Sequence, residues 1–554
     1  MNNLKTRRSF GIKNFVLPVV YCLLPVLSMA QKDSTKKTTI NINSAYKPVL
    51  RNAVKINFSA SHAPADTTAP KLEYEIPAEN LSYTYQPISI NPINLRQDSS
   101  LHLGTRNYIK AGYGNFTTPY LNAGFSFGDG KKSLLNVNAT YISSKGKIKY
   151  QDYTHINLNA AGNYYLAKHE VFGDVSVNAD ENYLYGYDHT INKFQRKEIR
   201  QQFLDVETST GIRNTVIDDY RISYSPSLKF TQLIKRDNLS ETSVLLTAPV
   251  TKQFGDAFSF KAEGKADLTF YSAKNSSSPK VQFNNHVIQV APSLVYTIPG
   301  FSINGGIIPT WDNGNFVWLP NVYAEAKIKK INLLFQAGWV GRYTKNTYRN
   351  LNAINPYLQT ITSQTNTKEI EFYGGVKATI GKHFNINAKA GLVQYNNLPF
   401  LINDTATDNK TFVISNEASV KDIRLHGDIS YNNNETFTAK AGITFNGYTF
   451  MQSNARAWNT VPVEVNASLR WWAFKQVLLK ADFNAFGAGY YLNKGNTAAM
   501  FRPGTDLSAG IEFKINKTFS AWMDVNNILN DKYQRWHNYE VYGLNLLTGL
   551  KINF

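Results

Sequence analysis

The sequence predicts an all-β fold: an antiparallel transmembrane β-barrel of the outer-membrane type, preceded by a short extended N-terminal arm. Three observations carry this prediction. The last strands alternate between apolar and polar residues, residues 1–30 have the organisation of a secretory leader, and short turns alternate with long loops along the remainder of the chain. Because a barrel strand presents only every second side chain to lipid, such a protein needs no continuous apolar run.

The clearest alternation lies in residues 506–554. From Leu507 to Ile515 the odd positions are apolar, whereas the even positions are polar or glycine. The final stretch repeats the pattern, and its apolar face consists of Tyr542, Leu544, Leu546, Leu550, Ile552 and Phe554. A barrel requires this arrangement at its end, because the last strand closes the sheet against the first with its apolar side toward lipid.

Residues 1–30 are predicted to be a signal peptide. A positive region contains Lys5, Arg7, Arg8 and Lys13. An apolar core runs from Phe15 to Leu27, and Ser28-Met29-Ala30 supplies a small-x-small cleavage site. The core is too short for a membrane helix, and the alternative to a signal peptide is an interfacial helix.

Removal of residues 1–30 also removes Cys22, the only cysteine, and lowers the formal charge from +19 to +15 through the loss of four basic residues. A mature chain without cysteine has no disulfide, thiolate metal site or cysteine nucleophile. The secretory leader argues against nucleic acid as the partner of the positive charge. The expected partners are outer-membrane lipids and lipopolysaccharide. Without an apolar run of helix length, the alternatives are a secreted soluble β protein and a membrane barrel.

Residues 31–103 differ in composition from the rest of the mature chain. Prolines recur at Pro48, Pro64, Pro70, Pro77, Pro87 and Pro92. Since proline disfavours helices and interior strands, we expect a proline-containing periplasmic arm that builds no core of its own. It is expected to pack in the barrel mouth or to add a strand to a partner, with a flexible leader as the alternative. The barrel is predicted over residues 104–554, without a helix.

Short turns and longer connections alternate along residues 104–554. Ten tight turns are predicted near Gly128–Lys131, Ala167–Glu170, Asn214–Asp218, Lys252–Asp256, Ile298–Gly300, Lys329–Lys330, Gly381–Lys382, Asn432–Glu435, Phe474–Gln476 and Asn516–Lys517. The long connections are Gly186–Glu198, Lys345–Asn366, Tyr395–Thr411, Phe450–Val461, Tyr490–Pro503 and Lys532–Val541. Ten turns and eleven loops join about 22 strands, within a range of about 14 to 22, with periplasmic turns and extracellular loops.

The C-terminal residues carry a family resemblance. They read Asp524-Val525-Asn526-Asn527-Ile528-Leu529-Asn530-Asp531-Lys532-Tyr533, and they close with Gly549-Leu550-Lys551-Ile552-Asn553-Phe554. This C-terminus resembles that of the TonB-dependent outer-membrane receptors. The resemblance implies that Asn527, Leu529, Asp531 and Tyr533 lie in the penultimate strand. It also implies that Leu550, Ile552 and Phe554 form the signal read by the barrel-assembly machinery. It covers the barrel only, because residues 31–103 are too short and proline-rich for a plug domain.

Catalytic and metal-binding patterns are scarce. The nine histidines show no metal-ligand spacing, and His155 alternates with Asn157 and Asn159 as a lumen-facing residue does. The sequence contains no phosphate-binding loop, dinucleotide fingerprint or nucleophile elbow. The nearest catalytic candidate is Asp188-His189, for which a solvated polar pair in a loop is the simpler interpretation. We therefore expect a protein that is not an enzyme, with no catalytic, cofactor or metal residues.

Two functions remain open from the sequence. The first is uptake or binding of a solute across the outer membrane, as the receptor resemblance implies. The alternative is a non-transporting barrel that scaffolds an envelope secretion or assembly complex. Further expected partners are the barrel-assembly machinery and a surface lipoprotein or periplasmic protein. An enzyme of the outer-membrane lipase or protease type is a distant third.

Overall fold

A computed structural model of the chain describes residues 107–236, 239–274, 280–328, 332–433, 436–493, 495 and 497–554. These residues form one closed antiparallel sheet of 22 spanning strands, which confirms the predicted fold class. Two small hairpins accompany it at the loop end. The predicted signal peptide and the predicted arm, residues 31–103, lie outside the described residues.

The first half of the barrel contains strands β1 to β12. Their bounds are β1 Tyr108–Gly114, β2 Thr118–Gly128, β3 Ser133–Ser144, β4 Tyr153–Tyr165, β5 His169–Tyr183, β6 Arg200–Asn214, β7 Ile222–Tyr224, β8 Ser227–Lys235, β9 Leu239–Phe254, β10 Phe258–Ala273, β11 Val281–Ile298 and β12 Phe301–Asp312. β7 and β8 are two pieces of one pass, since both pair with β9 and only Ser225 and Pro226 separate them. Proline has no amide to donate to the ladder, which explains the interruption.

The second half contains strands β13 to β27 and one short helix. Their bounds are β13 Asn315–Ile328, β14 Leu333–Thr344, β15 Thr367–Ile380, β16 Phe384–Asn403, β17 Phe412–Asn433, β18 Phe437–Thr449, β19 Val463–Phe474, β20 Val477–Phe486, β21 Tyr490–Leu492, β22 Ala498–Met500, β23 Gly504–Lys514, β24 Phe519–Asn526, β25 Gln534–Trp536, β26 Tyr539–Glu540 and β27 Asn545–Asn553. The helix, α1, spans Tyr348–Ile354, and a 3-10 turn spans Thr405–Thr407.

The sheet closes between its first and last strands. β1 and β27 pair antiparallel, from Tyr108 opposite Asn553 to Gly114 opposite Leu547. The amide of Phe554 extends the ladder by donating to the carbonyl of Asn107 over 3.0 Å. Closure leaves no unpaired sheet edge, which is the condition for crossing a bilayer with strands.

The connections follow the predicted asymmetry. Eight of the ten predicted short turns join consecutive spanning strands, and the other two, Lys329–Lys330 and Asn432–Glu435, lie wholly or partly outside the described residues. One loop prediction is wrong: Tyr395–Thr411 is mostly strand, because β16 and β17 continue to pair as far as Asn403 opposite Phe412. The extended pairing passes Asn397, whose positive φ of 58° marks an irregularity in β16. In outer-membrane barrels short turns face the periplasm and long loops the exterior.

The two faces of the wall differ as the alternation predicts. Large apolar side chains such as Leu121, Phe230, Leu294 and Leu392 are exposed on the outward face, where lipid would cover them. Polar and charged side chains occupy the alternate, lumen-side positions.

The sequence predicted a barrel without a helix, and this prediction is wrong because the chain contains the short helix α1. Thr347 caps α1 by accepting a hydrogen bond from the amide of Asn350. Within the described ranges no helix has the length and hydropathy to cross a membrane.

Candidate functional site

The proposed barrel-closing residues lie on the outward face of the seam. Leu550 and Ile552 pair with Ala111 and Ile109 on β1, and both side chains are exposed. Phe554 is 62% exposed and its ring lies 6.2 Å from that of Phe125. The three residues therefore share one apolar stripe beside the closing strand. Their recognition by the barrel-assembly machinery remains a prediction.

The family-like residues lie at a different place from the one the resemblance implied. β24 ends at Asn526, so Asn527, Leu529, Asp531 and Tyr533 belong to the connection after the penultimate spanning strand. Asn527 adopts a positive φ of 47° and is fully buried. Its side-chain amide donates to the carbonyls of Asp531 and Tyr542 over 2.8 and 2.9 Å. Asn527 therefore ends β24: its backbone is in the left-handed conformation, and its side chain hydrogen-bonds to carbonyls of the loop that follows.

The other three residues tie this connection to the wall. Asp531 accepts hydrogen bonds from the amide and hydroxyl of Thr505 over 3.0 and 3.2 Å. Tyr533 is buried with its ring 4.7 Å from that of Phe486. Leu529 is exposed. The stretch is therefore a structural corner at the loop end, and Leu529 and Asp531 also line an open cavity beside Arg502.

The histidines and the Asp188-His189 candidate do not form a catalytic arrangement. His155 lies 2.6 Å from Asp180 across the β4–β5 pair, on the same face as Asn157, as the alternation predicts. Asp188 accepts from the amide and hydroxyl of Thr190, whereas His189 contacts the carbonyl of Tyr185. Within the described residues no group of three or more His, Cys, Asp or Glu side chains is placed to hold a metal ion.

The loop end holds the largest apolar core of the described residues. It contains Tyr183, Phe203, Leu233 and Tyr271 of the first half of the barrel and Phe412 of the second half. Loops 184–199, 345–366 and 527–544 meet in it. Tyr357 stacks on Tyr539 with ring centroids 3.5 Å apart, and Tyr185 meets Tyr539 edge-on at 4.8 Å. A barrel wall shows lipid its apolar side, so an apolar core inside it requires elements that fold inward. We call this assembly the outer cap.

Residues 345–366, here the inner loop, form the centre of the outer cap. The loop leaves β14 and returns at β15, but Arg349 reaches β6, where it binds Asp205 over 2.7 and 2.8 Å. It also donates to Glu207 over 2.9 Å. Six spanning passes separate β6 from β14, counting β7 and β8 as one pass, so the loop leaves its own part of the wall and reaches over the barrel mouth to a distant part.

Three further contacts fix the inner loop. Glu241 of β9 accepts the amides of Tyr348 and Arg349 over 2.7 and 2.9 Å, which satisfies the first turn of α1. Lys345 forms an ion pair with Asp267 of β10. Leu358 makes a parallel bridge to Phe412 at the start of β17. Contacts with β6, β9, β10 and β17 place the inner loop across the barrel mouth.

A charged network covers the lumen side of β14 to β17. Arg342 donates to Glu369 over 2.8 Å and to Glu371 over 2.5 Å, and Lys389 pairs with Glu371 at 2.9 Å. Arg424 donates to Glu369 over 3.2 Å and lies 3.6 Å from Asp422. Three cations lie against three carboxylates, so the charged groups of this wall engage one another, and removal of one partner would leave a buried charge uncompensated.

Two titratable groups of the outer cap are held uncharged near neutral pH. Burial lowers the pKa of His537, on the hairpin between β25 and β26, to about 4. Its ring stacks on Tyr491 at 4.0 Å with an interplanar angle of 16°. Burial also raises the pKa of Tyr185 to about 12. The aromatic part of the outer cap therefore stays neutral.

Solved structures with a similar fold are known, although no protein-family model and no curated protein sequence matches the chain. The FrpB iron transporter from Neisseria meningitidis is similar with a TM-score of 0.62 at 10% identity, over 82% of each chain. FpvA of Pseudomonas aeruginosa, bound to pyoverdines, gives 0.61 at 10% identity over 81% of this chain and 71% of FpvA. The copper transporter OprC gives 0.60 at 11% identity over 81% of this chain and 80% of OprC.

The barrel has the fold of the TonB-dependent outer-membrane receptors. This fold locates the chain in the outer membrane. The similar structures are transporters and receptors rather than enzymes. The described residues consist of the barrel and its connections, with no plug domain among them. The sequence predicted residues 345–366 as a long connection but did not indicate which loop folds inward, although Tyr348 and Tyr357 within it were a signal of burial.

Proposed function

We propose that this chain is an outer-membrane barrel that takes up or binds a solute at its loop end, and that the inner loop closes the lumen between passages. The main supporting observation is that the inner loop reaches over the mouth to Asp205 and Glu207 on β6, separated from β14 by six spanning passes. A connection held by ion pairs and hydrogen bonds can move while the closed sheet stays intact. The iron and copper transporters of the same fold support uptake as the general class.

The inner loop provides the test. Lys345 and Arg349 make its ion pairs with the walls formed by β6 and β10. Replacing both with alanine, in full-length protein reconstituted into liposomes, should speed solute-driven swelling at least about tenfold, because each lost charged hydrogen bond is worth about 1.5–3 kcal/mol. The rate is measured with neutral sugars of increasing size.

A matched control removes two lumen cations that do not touch the inner loop. Lys480 lies 3.5 Å from Asp524 and Lys551 lies 3.2 Å from Glu512, both on the wall near the seam. The Lys480→Ala/Lys551→Ala variant should swell at the wild-type rate. If the Lys345→Ala/Arg349→Ala variant is also as slow as wild type, the inner loop is not the closing segment and the proposal is wrong.

The second candidate, a scaffold for an envelope complex, is favoured by the interlocking of the outer cap. Tyr539 donates to the carbonyl of Lys410 over 2.5 Å, and Arg535 donates to that of Asn459 over 2.7 Å. Loop 527–544 is thereby joined to the connections that contain Lys410 and Asn459, and such interlocked loops suit a surface that stays rigid. A fixed set of envelope proteins that copurifies in mild detergent, together with slow swelling of all variants, would favour the scaffold.

A further inference from the structure

The lumen face beside the seam between β1 and β27 carries more ammonium groups than carboxylates. Lys110 of β1, Lys480 of β20 and Lys551 of β27, here the seam lysines, occupy lumen-side positions on strands whose alternate side chains face outward. Lys110 and Lys480 share one carboxylate, because their ammonium nitrogens lie 3.3 and 3.5 Å from the two oxygens of Asp524. Lys551 pairs with Glu512 over 3.2 Å. Three cations therefore meet two carboxylates.

These charges are largely withdrawn from water. The side chains of Lys110, Lys480 and Asp524 are 12%, 10% and 10% exposed, and that of Glu512 is 5% exposed. A buried charge without a partner is costly, and two ammonium groups on the same carboxylate repel each other. The excess positive charge is therefore expected to attract a further anion.

The neighbouring strands supply no further carboxylate to the seam lysines. β2 and β3, which follow β1 around the barrel, contain no charged residue. On the other side of the seam, Arg470 engages Asp482 of β20 over 3.0 and 3.2 Å. Asp506 lies toward the loop end of β23, where it accepts from the hydroxyl of Tyr533 over 3.4 Å. Within the described part of this wall, the third ammonium group thus has no carboxylate of its own.

Two buried hydrogen-bonding groups lie in the same part of the wall. Ser520 is in register with Lys551, which is in register with Lys110. Trp522 occupies the next lumen-side position of β24, in register with Glu512. The hydroxyl of Ser520 and the indole nitrogen of Trp522 are buried without a hydrogen-bond partner among the described residues. Since ammonium and indole N–H groups only donate, the group that satisfies them must be an acceptor.

We propose that the seam lysines bind an oxyanion, the phosphate or carboxylate group of a small solute in the lumen. The bound group supplies the missing negative charge and accepts charge-assisted hydrogen bonds from the ammonium groups. Water would accept the same hydrogen bonds but would leave the charge uncompensated. The side chain of Lys551 is 23% exposed, the most open of the three, so the anion reaches the site beside it. This binding rests on the contacts at the seam and does not depend on movement of the inner loop.

Equilibrium dialysis of the full-length protein in neutral detergent tests the site, with radiolabelled inorganic phosphate as the probe. Lys480→Met leaves two ammonium groups for two carboxylates, so the dissociation constant of phosphate should rise at least about tenfold. Asp524→Asn removes a carboxylate instead and should lower that constant severalfold. The two changes are expected to have opposite signs, whereas damage to the wall would weaken binding in both variants. Unlabelled acetate should compete with the phosphate, because a carboxylate accepts the same hydrogen bonds.

Lys229→Met is the matched control for the loss of a lumen ammonium group. Lys229 pairs with Glu207, and in its absence Glu207 keeps Arg349 at 2.9 Å. This variant should bind phosphate as wild type does. All variants must first show wild-type heat-modifiable gel mobility. If Lys480→Met does not, Lys551→Met takes its place, because it also leaves two ammonium groups for two carboxylates.

The proposal is overturned if wild-type protein binds no phosphate, since the seam would then hold no excess charge that an anion can neutralise. Equal weakening in Lys480→Met and Lys229→Met would show a general effect of net charge. Weaker binding in Asp524→Asn would show that the changes act through the packing of the wall. If acetate leaves the labelled phosphate in place, a carboxylate is excluded as the occupant.

Discussion

The indole ring of Trp522 lies directly against Gly112, two spanning strands away across the seam of the barrel. Trp522 on β24 is in register with Gly549 on β27, which is in register with Gly112 on β1. A Cβ atom on Gly112 would lie 2.5 Å from the indole ring. The ammonium of Lys110 lies 3.9 Å from the ring centroid on the same side. The two glycines therefore allow one buried tryptophan to span the closure.

This contact predicts that the seam tolerates no side chain at Gly112. Gly112→Leu would force the indole ring or the carbonyl of Thr548 to move, at a cost of about 1–3 kcal/mol for overpacking. We expect the variant to lose its heat-modifiable gel mobility at a lower temperature than wild type. Gly264→Leu is the control, because a Cβ atom there meets nothing within 4 Å. Equal melting of the two variants would contradict the role of the indole ring.

A second prediction concerns Phe554 as an assembly signal. An acidic residue near the membrane interface costs only about 0–1 kcal/mol in a barrel, so Phe554→Asp should fold almost normally if Phe554 is only a lipid contact. If Phe554 is the assembly signal, the amount of inserted barrel falls severalfold. The measurement is the folded fraction in isolated outer membranes.

Phe513→Asp controls for the introduced charge. Phe513 is 47% exposed at the short-turn end of β23, on the apolar face that the alternation predicts. The same substitution therefore meets a similar environment away from the terminus. Comparable insertion of the two variants would show that Phe554 is an ordinary exposed aromatic residue of the apolar face.

The wall of this barrel was predictable from the sequence, because each strand encodes its two faces locally. The period-two pattern of Leu507 to Ile515 is a property of neighbouring residues, and so is the glycine-rich turn at Gly128. The strand count follows from these local signals.

The outer cap was not predictable in the same way. Arg349 of the inner loop binds Asp205 of β6 at a sequence separation of 144 residues, and no local sequence pattern indicates such a pair. The end of β24 was misplaced for a related reason. Asn527 leaves the strand because its side chain satisfies the carbonyl of Tyr542, 15 residues later. The contacts that hold the outer cap and end β24 join residues that are distant in the sequence, whereas strand faces and turns are set by residues adjacent in the sequence.

A third prediction tests how the inner loop is held. Glu241→Ala removes the acceptor of the Tyr348 and Arg349 amides, and each lost charge-assisted hydrogen bond is worth about 1.5–3 kcal/mol. Local opening should become at least about tenfold more frequent. Trypsin cleavage after Lys345 or Arg349, followed by mass spectrometry, measures it. Glu325→Ala, which removes a carboxylate from β13, should leave cleavage at the wild-type rate; acceleration in both variants would point to general weakening of the barrel.

The last prediction concerns acid and the hairpin that carries His537. Burial lowers the pKa of His537 to about 4, below the value of about 6.5 expected when the hairpin opens. Between these values the open form binds more protons than the closed form, so the free energy of opening falls as the pH drops through this window. Above about pH 6.5 both forms are neutral and the free energy of opening does not change. Stability is therefore lost on acidification from about pH 6.5 toward 4.

Hydrogen exchange of residues 527–544 measures this opening. After correction for intrinsic exchange, protection should be about tenfold lower at pH 5 than at pH 7.5, with partial solvent screening taken into account. His537→Phe keeps a ring stacked on Tyr491 but has no proton to bind, so its protection should stay level between the two pH values. His189→Phe, in the neighbouring loop 184–199, should retain the wild-type fall. If His537→Phe loses as much protection as wild type at pH 5, another group controls the acid response, because the substituted ring cannot titrate.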